Sequence, residues 1–430
     1  MTGPSGSRRR FLAGIAAVGT AASAGCSGVP FSGETQSDDG RVSLPADAIG
    51  PVDRPAWPVP VATAGPLVEA HKTRARDLLA DVPADPDVPN EAVAARIGEE
   101  RERARQRVNA GSSAQSTGEA LAGWRRRRDD AATVRGAYRA ATGVDERSDL
   151  VARRRSIRSD RATLAADLEY RARSVEEAVL TYEPVESLLA ESARFAEPRV
   201  SFPTDPVAEP FRAGEAAGDV EHARSALADA AGLRSAYLDG RDEVAPHWAS
   251  LIPVAGGLRG SVERTRSTVR GHTDGGAPSV DEDLSGTVAQ ELLVEGGRRV
   301  ESTVEDVREA SDAGDHATVV AQSGVALAAI DALRTADAEI GEGKYAEAPT
   351  ESSVRAAAER ALSGVDRAVD GDDPLAVRFA RPAFETLELV ADRVGEGYAS
   401  PRRTQAELVF VDLYASAVPR AAEFVRDRLD

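Results

Sequence analysis

The sequence predicts an all-α protein built of long helices in antiparallel hairpins or a bundle, with a coiled-coil-like segment and an irregular, repeat-like C-terminal half. Three observations carry that expectation. Beyond Pro66, apolar residues recur at helical spacing nearly to the end of the chain. The helical stretches are punctuated by proline breakers and capping residues. A Gly-Asp turn recurs in the second half. With 430 residues, 42% of them hydrophobic, the chain is long enough to bury a sizeable core.

The chain begins with Ser7-Arg8-Arg9-Arg10-Phe11-Leu12, a basic stretch that runs into an apolar, alanine-rich segment from Phe11 to Ala22. That segment is too short for a permanent membrane span and the right size for the core of a cleaved signal. It resembles a twin-arginine export signal, with Arg8 and Arg9 as the pair, Arg10 at the variable position, and Phe11 and Leu12 following in register. The next residues, Ser23-Ala24-Gly25-Cys26, resemble a lipobox, where small residues precede a cysteine that is lipidated and becomes the new N-terminus. Ser23 departs from the leucine usual at its position. Cys26 is the one cysteine of the chain, so a disulfide framework, a CxxC pair and a multi-cysteine zinc site are all excluded. The resemblance implies loss of residues 1–25 and attachment through Cys26 to the outer face of the cytoplasmic membrane.

Charge adds to this reading. Lys+Arg total 53 against 71 Asp+Glu, a net charge of −18, which argues against a general nucleic-acid-binding protein. Loss of residues 1–25 removes three arginines and no acid, taking the net charge to −21. Only Lys72 and Lys344 are lysines. Acid excess with so little lysine is similar to the proteins of salt-loving archaea, and through its first 26 residues, the signal and lipobox, the chain resembles the twin-arginine-exported lipoproteins of haloarchaea, with the composition of the rest consistent. In molar salt the Debye length is about 3 Å, so long-range steering of partners is negligible.

Residues 26–66 read as a tether, because Pro30, Pro45, Pro51, Pro55, Pro58, Pro60 and Pro66 recur among Gly, Ser and Asp. A long-helix domain follows over 67–200. Helices are expected at Leu67–Asp81 and Asn90–Ala110, separated by a Pro-rich breaker, with Asn90 as N-cap. Another runs from Ala114 to Thr142 and stops at Gly143. The longest expected run is Asp145 to Glu197, interrupted only by Pro184. Within it Leu150, Ile157, Leu164, Leu168, Val175, Val179, Tyr182 and Leu189 form a heptad seam.

Four prolines between Pro198 and Pro210 mark the expected boundary to a helical-hairpin domain over 201–430. There Ala217-Gly218-Asp219, Ala313-Gly314-Asp315 and Asp370-Gly371-Asp372 each read as the end of one helix and the start of the next. Asp373-Pro374 adds a cap and a proline at the first helical position. The spacings between these glycines, 96 and 57 residues, rule out a regular solenoid.

Chemistry is sparse. The five histidines, His71, His222, His247, His272 and His316, form no HExxH or HxH, and no GxSxG or SxxK is present. Asp219 and His222, at i and i+3, read as a capped helix start bearing a solvated histidine. Gly341-Glu342-Gly343-Lys344 reads as a turn rather than a phosphate loop, and Gly256-Gly257-Leu258-Arg259-Gly260 lacks the preceding strand of a dinucleotide site. Residues 91–180 hold nineteen arginines against fifteen acids, read chiefly as internal ion pairs and otherwise as an Arg face for an acidic partner. No catalytic residue, metal ligand or cofactor is expected. The function expected is that of a lipid-anchored, extracytoplasmic, non-enzymatic interaction or scaffold module with a protein partner on a helical face. The alternative is a helical lipoprotein that captures a solute or metal.

Overall fold

The computed structural model describes residues 49, 54–55, 65–110, 117–239, 241–272, 284–371 and 373–430. Arg8, Arg9, Phe11, Leu12 and Cys26 lie outside the described residues. Among the described residues the chain is all-α: twelve α-helices, with strand confined to one two-residue pair.

The first helices follow the sequence closely. α1 spans Gly65–Ala80 and α2 spans Glu91–Asn109. The Asn90 side chain caps α2 by accepting from the Ala92 and Val93 N–H groups at 3.0 and 3.2 Å. α3 spans Thr117–Ala141, and Gly143 ends it with a positive φ of 83°. The few described residues of the segment read as a tether contact the helices. Ile49 is buried in the main core, and Arg54 pairs with Glu119 at 3.0 Å and with Glu388.

The long helix over 145–197 is two helices, and the break is not at Pro184. α4 spans Arg147–Ala166 and α5 spans Val175–Ala196, with Pro184 inside α5. Between them Tyr170 takes a φ of 50°, and β1 (Arg171–Ala172) pairs antiparallel with β2 (Ala245–Pro246). Ser174 then caps α5 by accepting from the Glu177 N–H at 3.1 Å. The heptad seam therefore does not form one surface. Leu150 and Ile157 join a small cluster with Val220 and Ala223, Val179, Tyr182 and Leu189 join the main core, and Leu164, Leu168 and Val175 are only partly buried.

The Pro-rich loop before Pro210 does not separate compact units. Residues 42–430 form one unit, and α6 (Pro210–Leu238) packs on α3 and α5. Gly218 lies mid-helix in α6 rather than at a turn. A Cβ there would stand 2.2 Å from the Thr133 hydroxyl of α3, and one on Gly214 would stand 2.4 Å from the Thr133 carbonyl oxygen. These glycines are needed for close helix approach, a constraint on packing rather than on φ.

The second half is α7 (Trp248–Arg266), a 3-10 turn (Ser267–His272), α8 (Val288–Ala313), α9 (His316–Gly341), α10 (Glu351–Val369), α11 (Pro374–Gly395) and α12 (Pro401–Leu429). Gly314 closes α8 at a φ of 80°, and Asp373 caps α11 ahead of Pro374, as the sequence indicates. Gly341 ends α9 and Glu342 to Lys344 form a turn, and Gly256 to Gly260 lies inside α7. α9 is the core helix of this half. It is long and apolar enough to cross a membrane by length and composition, but 72% of that window is buried inside the protein.

Candidate functional site

The concentration of titratable groups lies between α1, α3, α5 and α6. His71 of α1 meets Asp229 of α6, Nε2 to Oδ1 at 2.8 Å, and Arg125 of α3 donates to the other Asp229 oxygen at 2.9 Å. Arg125 also donates to Glu191 of α5 at 3.0 Å, and the His222 Nε2 meets the second Glu191 oxygen at 2.6 Å. Arg128 donates to Glu221 at 2.6 Å, where Arg74 also donates at 3.0 Å. Guanidinium nitrogens only donate, so His71 Nδ1, 3.5 Å from Arg128 Nη1, is the acceptor and Nε2 donates to Asp229. The result is a chain of alternating charge threaded through four helices.

His222 is thus not a solvated helix-start residue. It is 5% exposed, stacked on Phe195 with ring centroids 3.9 Å apart, and its Nδ1 stands 3.5 Å from Asp129 without hydrogen-bond geometry. Burial opposes its charge, but Asp129 and Glu191 prevail and raise its pKa. Burial likewise pushes the Glu191 carboxyl up, and His222 and Arg125 more than offset it. These pairings absorb much of the Arg-rich segment. Arg135 pairs with Asp81 at 2.6 Å and Arg139 with Glu146 at 2.7 Å.

The other histidines are separate. His247 Nε2 stands 3.0 Å from the Ala172 carbonyl oxygen at the strand pair, His272 stands 3.0 Å from Asp337, and His316 faces the Tyr170 ring. Among the described residues no group of three His, Cys, Asp or Glu side chains is placed to hold a metal ion.

α5 carries two buried acids outward to the second half. Glu183 takes a two-pronged contact from Arg378 of α11, at 2.6 and 3.2 Å, with both side chains inside the protein. Glu186, 0% exposed, accepts from the Tyr170 hydroxyl at 2.7 Å and from the Ala317 and Thr318 N–H groups at 3.2 and 2.7 Å. It thereby caps α9, the role expected of Asp315, whose side chain makes no capping bond. Composition gives no sign of these residues, but the seam does. Val175, Val179, Tyr182 and Leu189 leave Glu186 at the missing heptad position, an acid on an apolar face.

A cavity of about 180 Å³ opens between α8, α9, α11 and α12, lined by Arg299, Val325, Pro382, Thr386, Phe410 and Tyr414 among others. Arg299 donates to the Thr386 hydroxyl at 2.8 Å. Pro382, inside α11, borders the opening.

This geometry defines a helical protein with a largely buried ionic network. Residues 66–243 match the model of a domain of unknown function, DUF8262, and residues 248–427 match that of another, DUF8264. The two matches meet at the strand pair rather than at the Pro-rich loop, so Glu183 and Glu186 reach from the first matched region into the second. No curated protein and no solved structure matches the chain.

Proposed function

We propose that the protein is a lipid-anchored, extracytoplasmic, non-enzymatic interaction or scaffold module. The observation that carries this reading is the buried network. Its carboxylates and imidazoles are spent on internal pairs, so the chemistry-bearing groups hold helices together and leave recognition to the surface. The resemblance of residues 7–12 and 23–26 to an export signal and a lipobox supports the location. The cavity beside Arg299 favours a second reading, capture of a small solute with an apolar body and an acceptor group.

Purification from native membranes in molar salt separates the two readings, with bound proteins and small molecules identified in the same preparation. A stoichiometric protein partner is the expected result. A stoichiometric solute or metal with no protein partner overturns the interaction reading.

A further inference from the structure

The first half of α7 stands out against an acidic surface. Residues 244–258 contain no Asp, Glu, Lys or Arg in a chain that is 29% charged. Leu251, Ala255 and Leu258 turn inward to the core. Trp248 and Ile252, one helical turn apart, turn outward and are 52% and 42% exposed. Pro253 and Gly256 are exposed beside them, and a Cβ on Gly256 would meet nothing within 4 Å. A half-exposed tryptophan above an isoleucine is a large apolar commitment to leave in water.

Its place in the fold narrows what covers it. α3 runs antiparallel to α6: Gly136 approaches Gly214, and Arg125 meets Asp229. The start of α3, where Arg54 pairs with Glu119, is therefore at the C-terminal end of α6. Leu67 of α1 lies against Gly232, near that same end. From there the chain passes through β2 into Trp248. The incoming N-terminal segment and the uncharged face of α7 thus share one end of the body. Between Cys26 and Ile49 lie 22 residues, which span roughly 70 Å at most at about 3.1 Å per residue.

We propose that the Trp248–Ile252 face of α7 rests on the lipid surface from which the chain is tethered, a proposal that rests on the anchored reading above. The contact is shallow burial of an amphipathic tryptophan and an isoleucine at the headgroup boundary. It has no carboxylate to desolvate and no charge pair for salt to screen. The face orients the body, and attachment is left to the lipid on Cys26.

The test uses purified Cys26→Ser protein, so that its outcome is independent of lipidation. It is titrated in molar NaCl with mixed phosphatidylcholine–phosphatidylglycerol vesicles containing brominated acyl chains, which quench tryptophan at the bilayer. Quenching is expected once Trp57 is replaced by Phe in this background, and Trp248→Phe is then expected to abolish it, since the remaining Trp124 is 1% exposed. Ile252→Ser in the same background is expected to weaken binding about tenfold, and Val207→Ser, at an exposed valine just before the N-terminal end of α6 and so at the opposite end of the body, is expected to leave it unchanged. The proposal is overturned by absence of quenching, by quenching that survives Trp248→Phe, by loss of binding in molar salt, or by a dimer that Ile252→Ser dissociates. Failure of the anchor alone shows differently, as a wild-type protein that partitions like Cys26→Ser.

Discussion

Replacing Arg378 with Ala is expected to destabilise the protein by about 3–5 kcal/mol, among the largest effects of any single change. The guanidinium and the Glu183 carboxylate share a closed interface between α11 and α5, so the truncation strands a buried charge. Removing both charges together, as Glu183→Leu with Arg378→Met, is expected to recover most of the loss, since a well-packed apolar pair avoids the desolvation cost. Thermal and denaturant unfolding of the two single variants and the double variant measures this. A single variant that unfolds within about 0.5 kcal/mol of wild type would mean that water reaches Glu183 and that α5 does not join the halves there.

Glu186 governs the second large effect, a dependence of stability on pH. Burial pushes its carboxyl up to about 8; the Tyr170 hydroxyl opposes that shift, the Asp315 charge adds to it, and the Thr318 N–H opposes it. Burial raises Asp315 to about 6 as well. An unfolded glutamate titrates near 4.3, so over the interval up to about 8 the folded state holds a proton that the unfolded state has lost. This contribution is therefore full below about pH 4.5 and is lost as pH rises through about 8, on the order of a few kcal/mol in all. Glu186→Gln keeps an acceptor for the Tyr170 hydroxyl and carries no charge at any pH. Its melting temperature is expected to fall less than that of wild type between about pH 5 and pH 8. Equal slopes in the two proteins would show that Glu186 titrates like an exposed carboxylate. Comparison with the variant isolates Glu186 from His222, whose raised pKa acts in the same direction.

Local signals were legible where the chain itself supplies the partner. Asn90, Gly143, Gly314 and Asp373-Pro374 cap or end helices through contacts within a few residues, and those boundaries fall close to their expected places. The break at 167–174 had a signal too, because Ser174-Val175-Glu176-Glu177 carries the Ser-x-x-Glu pattern of a helix start, yet the apolar heptads on either side masked it. Pro184 is the opposite case, a breaker by rule that sits within a helix held by tertiary packing. Gly218-Asp219 has the residues of a turn, but its glycine serves a helix crossing, and no local pattern separates those two uses.

The ionic interior was less legible. His71 and Asp229 are 158 positions apart, and Arg125 and Asp229 are 104 apart, so periodicity on one helix says nothing of their meeting. The surplus of arginine over 91–180 indicated internal pairing as a class of contact without naming the partners. Trp248 and Ile252 could be read only once α7 had an inside, which Leu251, Ala255 and Leu258 define.

The proposed attachment at the membrane surface is tested by the partition of Cys26→Ser protein between washed membranes and medium. α9, the described helix apolar enough to span, is enclosed by its neighbours, and two side chains on α7 are too small an apolar surface for stable attachment when even one acyl chain binds only marginally. Release of the variant into the medium is expected, with an unchanged helical circular dichroism spectrum. A Cys26→Ser protein that remains with the membranes as completely as wild type would contradict it.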